Sequence, residues 1–285
     1  MPTGISLHIG LNRVDPDRYD GWDGKLVACE NDARDMAALA RGNGFEETVI
    51  LTDQGTVENI TGELRKAAGR LKKGDILFFT YSGHGGQVRN TVGGDTEADR
   101  QDETLVFFDR QFLDDELYRE FQKLAEGVRV VALLDCCHSG TAIESVREML
   151  TPQALESQFQ TRDPGQVEAA SRMVPQWKQE ELYERHRDVY QKLQRELAAV
   201  KGNGGRAPDA VLIGACQDNQ VASDGSVNGL FTEKLLKVWN NAGFQGGYRD
   251  FHRGIQRIMP PNQSPNFYTT GAPGPDFLGQ KPFTI

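Results

Sequence analysis

Cysteine is scarce in this sequence. Cys29, Cys136, Cys137 and Cys216 are too few and too scattered along 285 residues to form a disulfide framework. The adjacent pair does not readily bridge to itself, so free thiols in a reducing compartment are expected. No Cys-x-x-Cys pair occurs, and the consecutive residues Cys136, Cys137 and His138 cannot wrap one tetrahedral zinc. A basic excess is lacking as well. The net charge of −9 argues against a phosphate-binding surface and a nucleic-acid partner, and suits cationic substrates or metal cations. No stretch approaches the roughly 18 apolar residues of a membrane span, and no basic segment followed by an apolar run opens the chain. The expectation is a cytoplasmic protein with no membrane partner. A Walker lysine and a full Gly-x-Gly-x-x-Gly helix start are missing around Gly83-His84-Gly85-Gly86, which sets a nucleotide-binding reading aside.

What is present alternates. Short β-branched or aromatic runs at residues 5–11, 48–51, 76–81, 128–134 and 211–213 read as buried strands. Amphipathic patterns near residues 31–41, 57–71, 114–124, 231–239 and 248–259 read as helices between them. That rhythm implies right-handed crossovers and a mostly parallel central sheet covered on both faces, an α/β fold. From about residue 144 to 208 no strand pattern appears. Glu, Gln, Arg and Lys dominate there, and the stretch reads as a helical insert closing on the Gly-rich linker of residues 201–208.

Two of the expected strands end in reactive side chains. The third runs into Tyr81-Ser82-Gly83-His84-Gly85-Gly86, the fourth into Leu134-Asp135-Cys136-Cys137-His138-Ser139-Gly140. Open parallel sheets build their sites at the carboxyl edge, and neighbouring strands would bring a thiol and an imidazole face to face. An imidazole that takes the thiol proton and later protonates an amine leaving group is what a cysteine nucleophile needs. Backbone N–H groups at Gly85 and Cys137 would hold the oxyanion. A lone Cys is more often a small core residue and a lone His a structural hydrogen-bonder, but their joint placement in glycine-framed strand ends favours chemistry.

These two motifs, with Cys29-Glu30-Asn31-Asp32 upstream, resemble the metacaspases and their bacterial relatives, the orthocaspases. The resemblance is specific over residues 4–143. It continues more weakly beyond the insert in Ala210-Val-Leu-Ile-Gly-Ala-Cys-Gln-Asp-Asn219 and Asn228-Gly-Leu-Phe-Thr232. It implies a caspase-like α/β/α sandwich: a large-subunit half at residues 1–143, a helical insert and linker at 144–208, and a small-subunit half at 209–285 completing the same domain. It implies a cysteine endopeptidase with Cys137 as nucleophile and His84 as acid and base, Cys136 filling a position commonly held by Ser.

By the same resemblance the substrate pocket is walled by Asp32, Ser82 and Asp135, with Cys29 nearby. Two carboxylates in a dry pocket select a cation, and the planar fork of Arg satisfies both better than Lys. Protein or peptide substrates with exposed Arg or Lys are therefore the implied partners. The family's acidic calcium ligands align with Asp102, Asp114, Asp115 and Glu144; hard oxygens suit calcium, although Asp114 and Asp115 would equally favour the start of a helix. Cleavage within the insert, by the protein itself or by an upstream activating protease, is expected to change activity. Arg172, which sits between helix breakers, is the favoured position. The rival from another class is an inactive scaffold. Its mark would be loss of the Cys or the His, and both are present.

Overall fold

The computed structural model describes residues 2–90, 101–137, 171–201, 206–217, 220 and 222–285. Its centre is a sheet in which β1 (Gly4–Gly10), β2 (Glu46–Leu51), β3 (Ile76–Ser82), β7 (Arg129–Asp135), β8 (Asp209–Gly214) and β9 (Asn266–Thr270) lie in the order β2-β1-β3-β7-β8-β9. All neighbours pair in parallel except β8 and β9. β1, β3 and nearly all of β7 are buried on both faces, which explains their continuous apolar sequences.

Alternate residues feed two separate cores. Leu77, Phe79 and Tyr81 of β3 and Val130, Ala132 and Leu134 of β7 face α2 (Val57–Arg70) and α3 (Asp114–Gln122). Phe78, Val131, Leu133, Val211 and Ile213 face α1 (Cys29–Gly42), α5 (Leu230–Trp239) and α6 (Tyr248–Ile258). The strands and helices expected from periodicity are thus found. The short helix α7 (Pro275–Gly279) was not expected. Neither was β9, nor a second, antiparallel sheet of β4 (Gly85–Arg89), β5 (Gln101–Val106) and β6 (Gln111–Leu113).

The helix α4 (Gln176–Lys201) lies within the stretch expected to be a helical insert. It packs on the small sheet, with Tyr183, Tyr190 and Leu197 against Val88 and Leu113. Its one departure from helical backbone is His186, whose φ is −110°.

Candidate active site

The register fixes the site. Ser82 of β3 is paired with Asp135 of β7, so the two strands end side by side. His84 and Cys137, each two residues further on, are both buried. Gly85 is required here, because a methyl group on it would lie 1.8 Å from the Cys137 carbonyl oxygen.

The His84 ring is held from the loop before α1. Its Nε2 is 2.8 Å from the carbonyl oxygen of Gly24, and Trp22 packs against the ring at 4.9 Å between centroids. A carbonyl only accepts, so Nε2 carries the hydrogen and Nδ1 is the basic nitrogen. Nδ1 has no hydrogen-bond partner in the structure and stays available for proton transfer. Burial pushes the imidazole down to about 4, against the pull of the Gly24 carbonyl, so His84 is neutral at physiological pH. The Cys137 thiol lies against the Ala222 backbone, accepting from its N–H at 3.1 Å and lying 3.8 Å from its carbonyl oxygen.

The cleft is filled by the chain itself. Residues 171–174 cross it, and Arg172 is completely buried. Its Nη2 is 2.7 Å from Asp32 Oδ2 and 3.0 Å from Asp224 Oδ1. Its Nη1 donates to Ser82 Oγ at 2.9 Å and to the Asp135 carbonyl at 3.0 Å, and also lies 3.0 Å from Asp135 Oδ1 as an ion pair. Nε points at Asp224 Oδ1 at 3.3 Å. Every nitrogen of the guanidinium therefore meets an acceptor.

The backbone of this segment lies as an added strand. The Arg172 N–H donates to the Ala222 carbonyl and the Val174 N–H to the Gly85 carbonyl, at 3.0 and 2.9 Å. The Arg172 carbonyl accepts from the N–H groups of Gly85 and Cys137, at 2.9 and 3.3 Å. Those are the two donors expected to hold an oxyanion, and the carbonyl they grip belongs to the residue whose side chain fills the pocket.

The pocket acids are themselves held. Asp32 also accepts from Ser82 Oγ, Asn228 Nδ2 and the Gly229 N–H, and Asp135 Oδ2 accepts from the Thr232 N–H and hydroxyl. Cys29 is buried beside them, its thiol pushed up to about 12 by desolvation. Gly229 forms the floor, where a methyl group would lie 2.4 Å from Arg172 Nη2. Asp224 is the acid that the sequence reading missed. It stands in a loop with no motif around it, and the available signal was its place just before Asn228 in the small-subunit half. Its second oxygen accepts from the Val27 N–H at 2.9 Å, which ties this loop to the one that carries Gly24.

Burial pushes the Asp135 carboxyl up to about 6, with Arg172 opposing. The guanidinium needs the ionised acid, so protonation weakens the pocket and raising the pH strengthens it. KM for an Arg peptide should therefore rise as pH falls through about 6, and pH-dependent initial rates will show it; a KM constant from pH 5 to 8 rules this coupling out.

Three of the residues aligned with calcium ligands are described. Asp102 Oδ1 accepts from Asn90 and Oδ2 from Gln194 of α4, at 2.7 and 2.9 Å. Asp114 and Asp115 are buried in the first turn of α3. Glu144 lies outside the described residues. Among the described residues no group of three or more His, Cys, Asp or Glu is arranged to hold a metal. Three further histidines have structural surroundings, His8 Nδ1 meeting Thr80, His252 the Pro265 carbonyl and His186 the Arg18 carbonyl, while His138 lies outside the described residues. Among the described residues no helix is long and apolar enough to cross a membrane.

Comparison with known proteins gives consistent results. The family model described as Caspase domain matches residues 13–274. Metacaspase-1 of Schizosaccharomyces pombe is 28% identical, the match covering 89% of this chain and 64% of that protein. Metacaspase-1 of Mycosarcoma maydis is 37% identical over 49% of this chain and 36% of its own length. The chain thus spans less than two thirds of these curated relatives. The crystal structure of protein GSU0716 from Geobacter sulfurreducens superposes with a TM-score of 0.81 at 42% identity, covering 100% of this chain and 99% of that one. Caspase-1 from Spodoptera frugiperda shares the fold, with a TM-score of 0.53 at 11% identity over 94% of this chain and 86% of its own.

Proposed function

Since this chain belongs to the caspase domain family of cysteine peptidases, we propose that it is an endopeptidase that cuts after Arg, and less well after Lys, using Cys137 and His84. The observation that carries the reading is Arg172, lying in the cleft as a substrate would. Its guanidinium is among Asp32, Asp135 and Asp224, and its carbonyl is on two N–H groups.

In the proposed mechanism the Cys137 thiol gives its proton to His84 Nδ1 and attacks the carbonyl carbon of the residue in the pocket. Gly85 and Cys137 N–H groups hold the oxyanion. His84 then protonates the departing amine, and water resolves the thioester. The neutral state of His84 suits its first task, and Gly24, by fixing the tautomer, keeps Nδ1 for both.

The first substrate in this proposal is the chain's own Arg172–Met173 bond, which makes the uncut protein a self-blocked precursor. Arg172→Ala should abolish self-cleavage and, by emptying the pocket, raise the initial rate on a low concentration of Arg peptide at least about tenfold over the uncut wild type. Equal initial rates would show that the segment does not compete. The same substitution leaves three buried acids without their cation and should lower stability by about 3–5 kcal/mol, so rates are compared on folded protein.

We extend the proposal to calcium as an activator, on the chemistry of the acids alone: hard carboxylates suit it, and Asp102 is linked through Gln194 to α4, which follows the cleft segment. No catalytic step passes through it. A panel of fluorogenic peptides differing only at the residue before the scissile bond, assayed with calcium and with excess chelator, tests both parts. Preference for Arg with lower rates in chelator is expected. Preference for Asp rejects the pocket, and full activity in chelator rejects calcium.

A further inference from the structure

Resting on the reading of Arg172–Met173 as a cleavable bond, we propose that the site also makes the bond it breaks, acting on its own chain as a peptide ligase. Cutting a bond normally releases the amine side, and here both sides are held independently. Upstream, Arg172 is fixed by three carboxylates and Ser82. Downstream, Val174 is fully buried and its N–H is on the Gly85 carbonyl.

One turn later Gln179 ties β4 to the cleft segment, accepting from the Gln87 N–H at 2.6 Å and donating to the Val174 carbonyl at 2.8 Å. Beyond it α4 is anchored by Leu182, Tyr183, Tyr190 and Leu197, all buried, and by Gln194 on the Arg89 carbonyl. None of these contacts involves the scissile bond, so none is lost when it breaks. The new amine of Met173 stays beside the carbonyl it left, in the place an incoming nucleophile must occupy.

The forward step joins the Cys137 sulfur to the Arg172 carbonyl carbon and breaks the C–N bond, the thiol proton passing through His84 to the Met173 nitrogen. In the reverse step the neutral Met173 amine adds to the thioester, the C–S bond breaks and Cys137 leaves as thiolate. The surplus amine proton returns to His84 and then to sulfur. From cut protein the Cys137 thiol first adds to the protonated Arg172 carboxyl and water leaves, which restores the same thioester; nothing is oxidised or reduced, and water is the only co-product. Well-oriented intramolecular nucleophiles reach effective molarities of about 10⁵–10⁸ M, enough for a held amine to compete with water. Resealing also explains how a chain carrying its own best substrate stays blocked, since net cutting needs α4 to let Met173 go.

The experiment starts from self-cut wild type, moved to fresh buffer and followed by intact mass. It should regain at least about a tenth of its molecules as single chain, and none once Cys137 has been alkylated. Gln179→Ala with Gln194→Ala, which loosens α4 and touches no reacting atom, should lower the regained fraction at least about threefold. Cut protein that still turns over Arg peptides but regains no single chain overturns ligation. So does wild type that cleaves Arg peptides yet never cuts itself, even with hydroxylamine present to trap the thioester; in both cases the peptidase reading stands. Protein that cuts neither peptide nor itself removes that reading, and ligation with it.

Discussion

Cys137→Ala should reduce hydrolysis of an Arg peptide to background, a loss on the order of 10⁴- to 10⁶-fold in kcat, while Cys136→Ala keeps most of the activity. The two neighbours face opposite ways. Cys136 belongs to the core under α2 and α3, whereas Cys137 belongs to the other layer, where its thiol reaches the Ala222 backbone. A strand end presents successive side chains to opposite faces, so the same backbone cannot offer both sulfurs to one carbonyl. His84→Ala should lose most activity as well, because in the proposed mechanism its Nδ1 accepts the thiol proton. Initial rates, with thermal unfolding to show that each variant is folded, decide the matter. An active Cys137→Ala protein would move the nucleophile elsewhere.

Asp32→Ala should cut kcat/KM for Arg peptides by roughly 30- to 5,000-fold, corresponding to about 2–5 kcal/mol for removing one acid from a desolvated charge pair. This acid is the most heavily used in the pocket. Besides Arg172 Nη2 it holds Ser82 Oγ, Asn228 Nδ2 and the Gly229 N–H, so its loss frees the α5 entry as well as one wall. Asp32→Asn separates the two effects, since it keeps the shape and one acceptor oxygen while removing the charge. Undiminished cleavage after Arg in both variants would place the pocket elsewhere.

The sequence carried the chemistry of the strand ends further than it carried the walls around them. β3 and β7 were legible because strands buried on both faces are continuous apolar runs, and glycines mark where they turn. The pairing of Ser82 with Asp135 then follows from parallel register. The second sheet was not legible. In β4 the run Gly-Gly-Gln-Val-Arg has a single β-branched residue, Val88, behind two glycines, and β5 opens on Gln-Asp-Glu-Thr, whose acids read as a solvated loop. Those polar side chains are tolerated because α4 and neighbouring amides cover them, as Gln194 covers Asp102. Asp224, Gly24 and Trp22 were invisible for another reason. Each acts through loop geometry set by residues far away in the chain, and spacing carries no trace of that.

Arg172 was legible as a basic residue between helix breakers, but many other basic residues occur in the same stretch. What singles it out is the length of chain from the pocket back to α4, a three-dimensional quantity.

The strand order has a consequence for what a single cut does to the molecule. β7 and β8 are neighbours in the middle of the large sheet, six residue pairs in register, yet a break after Arg172 puts them on different polypeptides. The seam between the two pieces then runs through the core rather than along an edge, and the pieces stay together as long as the sheet does. Once unfolded, they must find each other by diffusion. Refolding changes from a first-order to a second-order process, and the midpoint of unfolding becomes dependent on protein concentration. An uncut chain can recover from a thermal excursion alone; a cut one at low concentration cannot. Processing would thus convert a self-repairing fold into one that is lost the first time it opens.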